Sequence, residues 1–248
     1  MMNCPKCNLE QADQNVECMR CGIVFEKYRM HHTQRPTPVC FHAASDEKAA
    51  AAGEVIKHVL FYVNPQTHPV IFGGRVLFFL IMLVWGVKFI FTPMETNYVF
   101  TSFWHLVNLP FHEAGHIFFR PFGRFMTSLG GSLGQLLMPL MCMAVFIIKT
   151  RDTFAASFTL WWFGENVMDL APYINDARSL TLPLVGGNTG RTSPYGFHDW
   201  EFILRESGFI RYDHMLAGFV HKIGIFLIIG AFIWGGYLLL KQYRQLKQ

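Results

Sequence analysis

Long apolar blocks alternate with short polar ones along most of this chain. The apolar stretches run over Arg75 to Thr92, Tyr98 to Phe119, Gly130 to Ile148, Phe154 to Ile174 and Ala217 to Leu240. A helix rises about 1.5 Å per residue and a bilayer core is ~30 Å thick, so each stretch is long enough, or nearly so, to cross it. The pattern predicts an all-α polytopic membrane protein with about five transmembrane helices over residues 75–248. Before it, Asp46 to Val63 is Ala-rich with apolar positions on a helical period, which predicts a juxtamembrane helix near the bilayer surface. Pro65, Pro69 and the Gly73-Gly74 pair end that helix. Residues 29–45 are polar, hold Pro36 and Pro38 and read as a linker, so residues 31–74 together form linker and juxtamembrane helix. Asn175 to Leu216 is a polar loop too long for a simple connector.

Composition supports the membrane reading. Of 248 residues 52% are hydrophobic and 16% aromatic, with 25 Phe. The net charge of +4 is spread over loops rather than gathered into a basic stripe. It is read as topology and lipid-headgroup contact, and nothing in it calls for nucleic acid. Met1 to Glu10 is polar where a secretion signal needs an apolar core, so the N-terminus is expected in the cytosol, below a plasma or inner membrane. Five spans would then put the basic tail Lys241 to Gln248 outside, against the positive-inside trend; a re-entrant segment would remove the conflict.

Residues 1–30 carry four of the six cysteines as Cys4-Pro-Lys-Cys7 and Cys18-Met-Arg-Cys21. Two CxxC pairs this close, with no strand-helix pattern around either, have tetrathiolate spacing and predict a small zinc ribbon with a structural zinc ion. Thiolates held for metal agree with a reducing compartment. Cys40 and Cys142 read as ordinary residues, and His31, His32 and His42 as linker positions.

The second apolar stretch contains His112-Glu113-Ala114-Gly115-His116. Histidines four apart on a helix face the same side, so both can bind one zinc while the glutamate between them stays free as a base. Ionisable groups at membrane depth cost several kcal/mol unless they are paired, metal-bound or facing water, which makes this HExxH a functional hypothesis. A catalytic zinc needs a third protein ligand. The fourth stretch offers Glu165, Asn166, Asp169 and, at its end, Asp176; the polar loop offers His198 of Phe197-His198-Asp199-Trp200. Gly130, Gly131 and Gly134 read first as helix-packing positions and second as a surface for an extended substrate.

HExxH together with Asn166, Pro172, Asp176 and Arg178 resembles the site-2 protease family of intramembrane zinc metalloproteases, over roughly residues 103–182. The resemblance implies Asp176 as third zinc ligand, Asn166 as holder of the substrate backbone and Glu113 as general base. The chain departs from the family where Asp169 stands in place of its first proline and Ala177 in place of its two glycines. Glu165 and Asp169 also form an ExxxD that is similar to the second motif of the CAAX-processing membrane zinc proteases, so Asp169, Glu165 and His198 stay open beside Asp176.

These readings predict an intramembrane zinc endopeptidase that acts on a membrane-protein substrate, its site opening toward the cytosol and its ribbon able to recruit a cytosolic partner. The alternative is a protease-like membrane scaffold or assembly subunit that keeps the fold without turnover.

Overall fold

The structure, a computed structural model, describes residues 1–28, 53–185, 187–192 and 198–247. The linker prolines Pro36 and Pro38, Cys40, His31, His32, His42, the first part of the expected juxtamembrane helix and Phe197 lie outside the described residues. The chain divides into two compact units, Met1–Val55 and Ile56–Gln248.

In the first unit, β1 (Met2–Asn3) pairs antiparallel with β2 (Glu10–Gln11). Two turns of the same construction follow from the two CxxC pairs. The N–H of Asn8 donates to the Cys4 carbonyl and that of Gly22 to the Cys18 carbonyl, each over 2.9 Å. Asn8 and Gly22 hold positive φ of 57° and 66°, the left-handed geometry that Asn and Gly tolerate best. The thiols of Cys4, Cys7, Cys18 and Cys21 therefore face one another.

The second unit is helical. Its main helices are α1 (Pro69–Phe91), α2 (Phe103–Phe119), α3 (Arg124–Val145), α4 (Thr153–Asn175), the short α5 (Asp199–Glu206) and α6 (Asp213–Leu246). Of the expected juxtamembrane helix, residues 53–60 are described and helical. Among the described residues three helical stretches are long and apolar enough to cross a membrane: Pro69–Phe91, Arg124–Thr150 and Ile210–Leu246. The chain is thus a mostly helical membrane protein, with three candidate spans where five were expected.

Of the other two apolar stretches, that of α4 is interior, whereas α2 buries one face and leaves Phe103, Leu106, Ile117 and Phe118 exposed. α4 is buried along most of its length, so its apolar residues face protein and its Glu165, Asn166 and Asp169 sit among neighbours. α6 packs antiparallel along it: a Cβ on Gly224 would meet Met168 and one on Gly235 would meet Ser157. Trp161 of α4 joins Met82 and Phe89 of α1, Trp104 of α2 and Ile228 of α6 in the main core. α2 has only 17 residues; its first half packs on α4 and its second half on α3. The α2–α3 crossing is close because Gly115, Gly130 and Gly134 leave no side chains between the backbones. Packing is therefore the role the structure gives these glycines.

The start of α1 and the tail of α6 share one end of this unit. Arg75 pairs with Asp152 at the start of α4, and Lys241 Nζ donates to the Phe61 carbonyl. The basic tail thus lies at the end where residue 61 enters. The loop joining α4 to α6 lies at the opposite end.

Candidate metal centre

α2 starts where the Ser102 side chain accepts the His105 N–H, and it places His112 and His116 one turn apart with ring centroids 4.8 Å from each other. Both rings are oriented from α3. His112 Nδ1 lies 2.8 Å from Gln135 Oε1, and His116 Nδ1 lies 2.8 Å from the Thr127 carbonyl oxygen. Those oxygens accept, so each Nδ1 carries the hydrogen and each Nε2 keeps its lone pair for a metal. Gly131 makes room for this: a Cβ there would fall 2.5 Å from His112 Nε2 and 2.6 Å from His116 Nε2.

The third group is Asp199. Its Oδ2 stands 3.4 Å from His112 Nε2 and 3.3 Å from His116 Nε2. Bonds of about 2 Å at tetrahedral angles separate two ligand atoms by about 3.3 Å, so both of these separations match the edge of a zinc tetrahedron. Tyr173 holds the carboxylate, its hydroxyl donating to Oδ2 over 3.1 Å and accepting the Asp199 N–H over 3.1 Å.

A cavity of about 440 Å³ opens beside this cluster. Its wall includes Glu113, His112, Asp199, Tyr173, His105 and Leu184. Two nitrogens, one carboxylate, an adjoining cavity and a free glutamate together fit a zinc site with a position open to water.

The expected third ligand lies elsewhere. Asp176 is not in the His112, His116 and Asp199 group. Pro172 does not end α4, which continues to Asn175 with Asp176 as its C-cap. There Asp176 accepts from Ser179 Oγ (2.6 Å), from the N–H and Oγ1 of Thr181 (2.9 Å each) and from the Leu182 N–H (2.9 Å). These donors keep its carboxyl well below the usual range despite its burial.

The rival candidates are also engaged elsewhere. His198 caps α5, its Nδ1 accepting the Glu201 N–H over 3.2 Å, and its Nε2 stands 3.5 Å from Asp176 Oδ2. Asp169 sits 2.9 Å from His105 Nδ1, and Asn108 donates to both Glu165 (2.9 Å) and Asp169 (3.1 Å). Asn166, expected to hold substrate, is wholly buried and donates to Asn108 Oδ1 and the Trp162 carbonyl, away from the cavity wall. Trp200 donates to Ser132 Oγ over 3.2 Å.

Sequence reasoning missed Asp199, Tyr173 and Gln135. The signal for Asp199 was its place beside His198 in an overlong polar loop.

In the N-terminal unit, Cys4 Sγ lies 3.6 Å from Cys21 Sγ and Cys7 Sγ 3.6 Å from Cys18 Sγ. All four sulfur atoms lie within 4.8 Å of one another, an arrangement that could hold a metal ion. Thiolates bound tetrahedrally at about 2.3 Å lie about 3.8 Å apart.

No family model, curated protein or solved structure matches the chain.

Proposed function

We propose that the chain is an intramembrane zinc metalloendopeptidase that hydrolyses a peptide bond in or near a transmembrane segment of another protein. The observation that carries this reading is the convergence of two Nε2 lone pairs and one buried carboxylate beside a cavity that Glu113 also lines. His112, His116 and Asp199 would hold the ion. Zinc bound there supplies a polarised water, with a pKa lowered to about 7, and a Lewis acid for the substrate carbonyl.

Glu113 accepts the water proton at its carboxylate and returns it to the departing amide nitrogen, a role that requires it to stay off the metal. Gln135 and Thr127 keep the protons on Nδ1 of the two histidines. Tyr173 fixes the angle of Asp199. The cavity takes an extended segment, since a helical backbone hides its carbonyls.

The four thiolates are proposed to hold a structural zinc in a cytosolic ribbon that recruits a partner.

The test is zinc content and turnover together. The full chain with its four ribbon cysteines replaced by serine should retain about one zinc, lose it on His116→Ala, and cleave members of a pool of synthetic transmembrane peptides in detergent. Retained zinc without cleavage by the wild-type chain would favour the second reading, a protease-like scaffold, which the departures of residues 165–178 from the site-2 protease pattern support.

A further inference from the structure

A second, polar cavity of about 230 Å³ lies at the opposite end of the helical unit, where the chain enters and leaves it. Asn64, Arg75, Arg151, Asp152 and Gln242 contribute to its wall. Asp152 is already committed, with Oδ2 2.7 Å from Arg75 and Oδ1 accepting the Ala155 N–H. Arg151 is exposed in a left-handed turn (φ 53°), and among the described residues it enters no ion pair. Gln242 is 2% exposed, and its Oε1 has no hydrogen-bond partner among the described residues. A buried acceptor without a donor costs about 1–3 kcal/mol, so this wall is built for something that brings one.

The cavity stands at a membrane interface. Trp234 donates to the Leu60 carbonyl, Tyr237 meets Phe61 edge-on, Tyr243 stacks on Phe72 and Lys241 reaches the Phe61 carbonyl. Aromatic side chains and lysines gathered at the ends of apolar helices mark the headgroup level. Deeper along the same helices, Leu77 of α1 and Leu240 of α6 are exposed apolar side chains against which acyl chains can lie.

We propose that this cavity binds the head of a phospholipid that carries hydrogen-bond donors beside its phosphate. Arg151 presents its planar fork to the phosphate oxygens, a charge-assisted contact. The ammonium of an ethanolamine head, or the hydroxyls of a glycerol head, donate to Gln242 Oε1. A choline head has no N–H or O–H and leaves that oxygen bare. The volume exceeds that of a few waters and suits a head rather than a tail.

The test is native mass spectrometry of the full chain in mild detergent with equal amounts of phosphatidylethanolamine, phosphatidylglycerol and phosphatidylcholine. The first two should be retained about tenfold over the third, the upper end of what one hydrogen bond contributes. Arg151→Asn keeps the left-handed turn and should lower retention of both. Gln242→Leu should erase the preference over phosphatidylcholine while leaving phosphate-dependent retention. Competition by free phosphoethanolamine, and none by diacylglycerol, is expected. Equal retention of phosphatidylcholine by the wild-type chain, or unchanged retention in Arg151→Asn, overturns the proposal.

Discussion

His198 Nε2 stands 3.5 Å from Asp176 Oδ2, and this pair fastens the loop whose next residue, Asp199, faces the two histidines of α2. Since His198 Nδ1 accepts the Glu201 N–H, the ring hydrogen is on Nε2, in contact with the carboxylate without a directed hydrogen bond. Two residues that each offered themselves as a zinc ligand thus serve together as a clasp. Asp176→Ala should weaken zinc binding at the membrane site by about 10- to 100-fold, the usual cost of loosening a ligand's support, without abolishing it. Asp199→Ala should abolish it. Zinc titration of the chain lacking its ribbon cysteines separates the two, and full loss of metal in Asp176→Ala would reverse the assignment.

Glu113→Gln should leave the zinc in place and lower turnover by about 10²- to 10⁴-fold, because the amide keeps the shape but cannot take a proton. Metal analysis and peptide cleavage on the same preparation check this. A drop in zinc equal to the drop in activity would make Glu113 a ligand.

Gly131→Ala tests the histidine geometry without replacing a polar side chain. Its new methyl would occupy the space where the two Nε2 atoms converge, 2.5 and 2.6 Å away. Rings pinned by Gln135 and Thr127 cannot both retreat, so zinc affinity should fall by more than in Asp176→Ala while the helices stay assembled. Circular dichroism and zinc titration distinguish this from simple unfolding.

Much of this was legible in the sequence, for physical reasons. HExxH is a helix-periodic pattern, and periodicity survives without tertiary context; so does the spacing of Cys4, Cys7, Cys18 and Cys21. What failed was the reading of α4. Its apolar run suits lipid and protein interior equally, and only the neighbours decide: α6 and α3 cover it, leaving Glu165 and Asp169 to Asn108 and His105. Asp199 escaped because a ligand on a loop carries no period. It is brought to the histidines by Tyr173 and by the Asp176–His198 pair, contacts between residues 26 and 22 positions apart in sequence respectively.

The last prediction concerns the N-terminal unit. Metal ligation by four thiolates in so small a segment supplies most of its folding free energy, since among the described residues it has little apolar core beyond Phe25 and the cysteines. A fragment spanning Met1–Val55 should therefore be unfolded without metal, fold with one equivalent of zinc, and show thiolate charge-transfer absorption with cobalt. The turn after the second cysteine pair sharpens the test. Gly22 holds φ +66° with open space where a Cβ would go, so a substitution there meets backbone strain rather than a clash. Gly22→Val should weaken metal binding by an amount set by about 1–3 kcal/mol of left-handed strain for a β-branched residue, whereas Gly22→Asn should cost far less. Asn8 already occupies the equivalent place after the first pair with φ 57°. Equal affinity in Gly22→Val and wild type would mean that the two turns do not set the positions of the thiolates.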